Sequence, residues 1–205
     1  MKLYTFGDSH AFYGWENLTI ENLEIIPFPL ALDGNPITCS SFGFEKLNVL
    51  NILNYGVKDN DIVVFQFGET DMRYIFMHNS ASHNHFSEST FQELMDKILD
   101  NYFIAIKQNV DQLKNLLVIV SCHYPISLVS PPPSEFRRTL HRYFNTKIKE
   151  KCKEYNYVAL DTYYKYADEN ENLNAKYSDG HVHIKNPIFV KEELLNIFEK
   201  YSIKF

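Results

Sequence analysis

The stretch Tyr4-Thr5-Phe6-Gly7-Asp8-Ser9-His10 closes an apolar run and then sets a carboxylate, a hydroxyl and an imidazole side by side. Two chemistries suit those residue types. A serine hydroxyl can attack a carbonyl, but it is a weak nucleophile and needs a base, which itself needs an orienting acid. Asp and His can instead hold a metal ion that activates water. Toward the other end of the chain, Ser178-Asp179-Gly180-His181-Val182-His183-Ile184 supplies an acid and two imidazoles that fit either scheme.

The two schemes differ in what else they require. The DSH and GHVH runs resemble the first and last motifs of the calcineurin-like metallophosphoesterases, but a two-metal site needs further ligands. That family takes them from middle motifs of the GDxxD and GNHD or GNHE type, and the sequence contains neither. The other histidine cluster, His78, His83 and His85, lies in a polar stretch and reads as a solvated loop. The nucleophile scheme finds its partners on one segment. Asp179 and His183 are four residues apart, so a helical turn would put them on one side, with the carboxylate on one ring nitrogen and Ser9 on the other. His181, two residues from Asp179, would point elsewhere and reads as exposed.

These segments need a scaffold to bring them together. Leu3–Phe6, Leu23–Ile26, Ile62–Phe67, Leu116–Ser121 and Tyr157–Leu160 are short apolar runs of strand character. Between them the pattern turns helical. Thr90-x-x-Glu93 reads as a capping box opening a helix from Thr90 to about Asn115. Ser134 caps a second helix running from about Glu135 to Tyr155, and a third follows Pro187. Strands alternating with helices predict a parallel sheet covered on both faces, with ligands at the carboxyl ends of its strands. GDSH, Gly68-Glu69-Thr70-Asp71-Met72-Arg73, Ser121-Cys122-His123-Tyr124-Pro125 and SDGHVHI all fall at that edge or in loops beside it. One such loop is ordinary turn chemistry; four at one edge predict an active site.

At these residues the chain resembles the SGNH, or GDSL-like, hydrolase superfamily. FGDSH, FGETDMR and SDGHVHI look like its first, third and fifth blocks, in the right order. The third block is similar to that of a branch reading GEIDCR, associated with glycan assembly. The resemblance implies an α/β fold, a three-layer α/β/α sandwich of flavodoxin-like type with a five-stranded parallel sheet, in one domain spanning 1–205. It implies Ser9 as nucleophile, Asp179 and His183 as the rest of the triad, and Gly43, within a segment like the second block, as an oxyanion donor beside the Ser9 amide. Thr70 stands where the family's oxyanion asparagine is usual, and Asp179 and His183 are one residue farther apart than the usual DxxH. Gly68, Glu69, Asp71 and Arg73 complete the oxyanion and substrate side. Arg73 either steers a polar substrate or belongs to an ion-paired cluster. His123 is a further candidate for binding, and Phe12, Tyr13 and Trp15 are candidates for a sugar face, with core packing expected for at least two of the three.

Composition narrows the functional class. A chain of 205 residues that is 45% hydrophobic and 22% charged can bury a full core. Its net charge of -6 argues against nucleic acid as a partner. No apolar stretch reaches the ~20 residues of a membrane span. A lone lysine leading into a strand predicts no signal peptide. Cys39, Cys122 and Cys152 are too widely spaced for a disulfide framework or zinc ribbon, which points to the cytoplasm. The expected activity is hydrolysis of an acyl ester, an O-acetyl sugar by resemblance to the glycan branch, without metal or organic cofactor. The same triad would serve a sugar O-acetyltransferase, and a catalytically weak glycan-binding protein would keep the fold.

Overall fold

The computed structural model describes residues 1–32, 34–74, 88–129 and 133–205. His78, His83 and His85, and Ser130, Pro131 and Pro132 of the proline run, lie outside the described residues. Five strands, β1 (Lys2–Gly7), β2 (Glu24–Pro29), β5 (Ile62–Gln66), β6 (Leu117–Ser121) and β7 (Val158–Leu160), form one sheet. Their order is β2-β1-β5-β6-β7 and every pairing is parallel. A short antiparallel pair, β3 (Ala31–Leu32) and β4 (Asn35–Pro36), lies apart from it. The helices are α1 (Cys39–Glu45), α2 (69–74), α3 (Glu88–Val110), α4 (Glu135–Tyr155), α5 (Tyr163–Tyr166) and α6 (Ile188–Lys200).

The layers follow from the period of two in a strand. Tyr4, Phe6, Val63, Phe65, Val118 and Val120 face one core, which they share with Phe42 of α1, Tyr102 of α3 and Phe144 of α4. Leu3, Ile62, Val64 and Ile119 face the other, with Val190, Leu194 and Phe198 of α6 and Tyr166 of α5. Both faces of the sheet are therefore covered, giving an α/β/α sandwich. Trp15 is fully buried in the second core, and its indole N–H donates to Gln66 Oε1 at 2.7 Å.

Where the elements differ from expectation, a pairing explains it. β2 runs on through Pro27 to Pro29 instead of stopping at Ile26. It is an edge strand bonded only to β1, so a proline can leave its missing N–H on the unpaired side. Thr90 lies inside α3 rather than at its start, and the helix ends at Val110 rather than near Asn115. The residues after it serve the loop before β5: the Lys114 amide donates to Asp59 Oδ1 at 2.8 Å, and the Asn60 amide to the Lys114 carbonyl at 3.1 Å. α4 matches its pattern, with the Ser134 hydroxyl accepting from the Arg137 amide at 3.2 Å and Leu140, Phe144, Ile148 and Cys152 buried.

α1 gives the main correction. Gly43 was expected at the oxyanion, but it is the fifth residue of this helix and fully buried against α3. Its amide falls within the helix's own i→i−4 ladder. A Cβ there would lie 2.9 Å from the Tyr102 amide nitrogen and 3.0 Å from the Asn101 carbonyl carbon, both main-chain atoms. Gly43 thus sets how closely α1 and α3 approach. Gly43→Ala is expected to cost about 1–3 kcal/mol of stability as the helices separate. Urea unfolding tests this, and a variant as stable as the parent would contradict the close approach.

Candidate active site

Strand order reverses beside β1: the chain passes first to β2 on one side and later to β5 on the other. Open parallel sheets form a crevice at the carboxyl ends of strands at such a switch point. The loop after β1 carries Asp8, Ser9 and His10. The loop after β5 carries Gly68, whose φ of +117° turns the chain into α2. That glycine has no room for a side chain: a Cβ would lie 2.6 Å from His123 Nε2 and 2.9 Å from Phe144 Cζ.

The structure brings Ser9, His183 and Asp179 into one line. Ser9 Oγ is 2.9 Å from His183 Nε2, and His183 Nδ1 is 2.9 Å from Asp179 Oδ2. A carboxylate only accepts, so Nδ1 carries the proton and Nε2 is free to accept from the serine hydroxyl. Burial, followed by the charge of His10, pushes His183 below its ordinary value of 6.5, against the pull of Asp179. Burial raises the Asp179 carboxyl, but the His183 ring and the amides of His181 and His183 outweigh it and hold it below its usual range. Tyr13 stacks on the His183 ring with centroids 4.0 Å apart.

The pairing of Asp179 with His183 does not come from a helical turn. Ser178 and Ile184 bridge in antiparallel fashion, and the Asp179 amide donates to the His183 carbonyl at 3.1 Å. Gly180, with φ +88°, provides the bend. The segment is a closed loop whose two legs face each other, so Asp179 and His183 are neighbours across it. His181 sits at its exposed tip. Its amide donates to Asp179 at 2.7 Å and its carbonyl accepts from the Ser127 hydroxyl.

Asp8 and His10 do not converge on a shared point as metal ligands would. They bind each other. His10 Nδ1 lies 3.1 Å from Asp8 Oδ1, and His10 Nε2 lies 3.1 Å from the Val182 carbonyl. Among the described residues no group of three or more His, Cys, Asp and Glu is arranged to hold a metal ion.

Several residues expected on the oxyanion and substrate side are committed elsewhere. Thr70 is buried, and its hydroxyl donates to Asp8 Oδ2 at 3.3 Å. Asp71 turns away from Glu69 and Arg73 and accepts from the Cys39 and Ser40 amides at 2.7 and 2.8 Å, holding the start of α1. Burial drives its pKa up to about 6 against those two amides, with help from the nearby Asp8 charge. Arg73 pairs with Glu69 at 3.0 Å along α2. His123 is buried, donates from Nε2 to the Phe67 carbonyl at 3.1 Å, and is held neutral by burial, its pKa down to about 4. Trp15 belongs to the core, Phe12 is half-buried, and Tyr13 alone of the three stacks on His183.

Sequence reading missed the double engagement of His10. The Asp-x-His spacing was a usable signal, since a short acidic side chain readily binds two residues onward along its own backbone. The His10 amide does donate to Asp8 Oδ1, at 3.0 Å.

No protein-family model and no curated protein sequence matches the chain. Solved structures do. A member of the lipolytic G-D-S-L family from Veillonella parvula is 15% identical over 97% of this chain and 98% of its own, with a TM-score of 0.61. The acetyl xylan esterase AlAXEase is 18% identical over 96% and 99%, with a TM-score of 0.60. A GDSL-like lipase from Bacteroides thetaiotaomicron is 14% identical over 98% and 88%, with a TM-score of 0.58. At these identities the likeness is one of fold.

The Thr70 geometry makes a checkable claim. Thr70→Val keeps the shape of the side chain and removes the only hydroxyl that reaches buried Asp8 among the described residues. It should lower stability by about 1–3 kcal/mol, measured by urea unfolding. An unchanged midpoint would mean that the hydroxyl is free to serve elsewhere.

Proposed function

We propose that this chain, which has the fold of the SGNH or GDSL-like hydrolases, is a serine esterase that removes acyl groups, O-acetyl in particular, from a carbohydrate ester. The observation that carries the reading is the continuous Ser9–His183–Asp179 line, with 2.9 Å at each step and the proton on the far ring nitrogen. The acetyl xylan esterase among the fold's relatives supports the acetylated-sugar substrate.

The chemistry follows from the tautomer. His183 Nε2 takes the Ser9 proton as Oγ attacks the ester carbonyl carbon, forming a tetrahedral oxyanion. His183 then returns that proton to the departing alcohol, leaving an acyl-serine. Water repeats the cycle: His183 deprotonates it, it attacks the acyl carbon, and Ser9 Oγ leaves with the proton. Asp179 stays ionised, fixes the ring and stabilises the imidazolium that forms. The Ser9 amide, which has no hydrogen-bond partner among the described residues, is one donor for the oxyanion. With Gly43 in the α1–α3 packing and Thr70 on Asp8, neither supplies another.

Fluorophosphonate labelling tests the nucleophile. The wild-type chain should be labelled on Ser9, and Ser9→Ala should lose both the label and hydrolysis of an acetylated sugar ester. A wild-type chain that resists the reagent would point to binding without catalysis. Activity of Ser9→Ala within about tenfold of wild type would show a different nucleophile, since losing a nucleophile removes far more.

The base has its own test. His183 works as a base only when neutral, and its pKa lies below 6.5. Activity should therefore hold at neutral pH and fall only as the pH drops through that lowered value. His183→Ala should lose about 10²–10⁴ in kcat/KM, whereas His181→Ala, altered at an exposed tip, should stay close to wild type. The reverse ranking would reassign the base.

A further inference from the structure

His10 lies beside the triad without touching the reacting atoms, and its surroundings are unusual for a buried imidazole. Each ring nitrogen faces an acceptor. Nδ1 meets the Asp8 carboxylate and Nε2 meets the Val182 carbonyl, both at 3.1 Å. A carbonyl oxygen cannot donate, so Nε2 must carry a proton, and the ionised Asp8 asks the same of Nδ1. The Val182 carbonyl belongs to the residue just before His183. The chain carrying the nucleophile is thereby bonded to the chain carrying the base.

We propose that His10 is a positioning residue, whose doubly donating ring ties the loop of Ser9 to the loop of His183 and sets the distance between them. The proposal rests on the esterase reading for its consequence, but its geometry stands apart from it. The groups around His10 are Asp8 on its own turn, Glu69 from α2, His123 and Tyr124 after β6, and Val182 and His183 from the closing loop. Burial pushes His10 down, yet Asp8, Glu69 and the Val182 carbonyl outweigh it and raise its pKa to about 9. The ring is then an imidazolium at neutral pH. Its centroid is 4.8 Å from that of His183. The groups around His183 are this cation, the carboxylates of Asp179 and Asp8, the Ser9 hydroxyl and the Tyr13 ring. His10 is the one cation among them. It opposes a second positive charge and so helps keep the base neutral, in addition to holding it in place.

Nitrogen-15 NMR of the imidazole rings tests this on the wild-type chain, whether or not an ester is turned over. Both nitrogens of His10 should be protonated at pH 7. In His10→Gln the titration of His183 should move to higher pH, because the neighbouring cation is gone. A neutral His10 ring at pH 7, or a His183 titration that does not move in a folded His10→Gln, overturns the proposal. Kinetics add a second readout. His10→Gln should lower kcat by about tenfold to a hundredfold, the effect of slight misplacement, with KM nearly unchanged and the acid limb of the rate profile shifted upward. A purely structural loss would lower the amount of active protein and leave that limb where it was. Absence of Ser9-dependent turnover in the wild type would refute the esterase reading, while the ring measurements would still decide the role of His10.

Discussion

Asp8 is a carboxylate almost wholly removed from water, and the corner built around it depends on keeping that charge matched. Desolvation on this scale costs several kcal/mol unless donors replace the lost solvent. Four groups do so: the His10 ring, the His10 amide, and the Thr70 hydroxyl and amide. They come from the turn after β1 and from the first residues of α2. Burial favours the neutral acid, but the hydrogen bond and charge of His10 prevail and hold the Asp8 pKa below its usual value. The ends of β1 and β5 are therefore tied together by a charge, and through His10 the closing loop is tied to them. Fixing these segments holds Ser9 and His183 at hydrogen-bonding distance without water rearranging between them.

Sheet topology explains why such a corner lies where it does. With β2 on one side of β1 and β5 on the other, the chain leaves β1 in both directions, and the loops after β1 and β5 diverge and leave a crevice. The molecule fills the floor of that crevice with a neutral histidine, His123, packed under Gly68. It lines the upper part with a charged one, His10. Burial presses both rings toward the neutral form; at His10 the Asp8 carboxylate overrides it, whereas at His123 the Phe67 carbonyl does not.

Much of this was legible in the sequence, for identifiable reasons. The strands of a doubly covered parallel sheet are continuous apolar runs, and Ile62–Gln66 and Leu117–Ser121 fall where such runs were expected. α4 was readable because cap and stripe agree. The parallel α/β/α architecture followed from the alternation of the two kinds of segment. Less legible were features set by tertiary partners. α3 stops where its tail finds Asp59 and Asn60, more than fifty positions away in the chain. Gly43 was assigned to the oxyanion from its resemblance to the second block, while its need for smallness comes from α3, which no local pattern reports. Thr70 and Asp71 looked like site residues because they sit in the right segment, but a segment does not say which way each side chain turns. The partners Asp179 and His183 were paired from a helical spacing, whereas a closed loop with Gly180 at its bend brings them together.

Trp15 is the chain's one tryptophan, and it is locked between the turn that follows Ser9 and the last residue of β5. Its indole is shielded from solvent and bonded to Gln66 at 2.7 Å. The molecule therefore carries a native optical probe at a single, known location. Emission excited at the red edge, where the tyrosines do not absorb, comes from this corner alone. Its wavelength reports whether the join between the first loop and the centre of the sheet is dry, and it does so without a label, a substrate or a substitution.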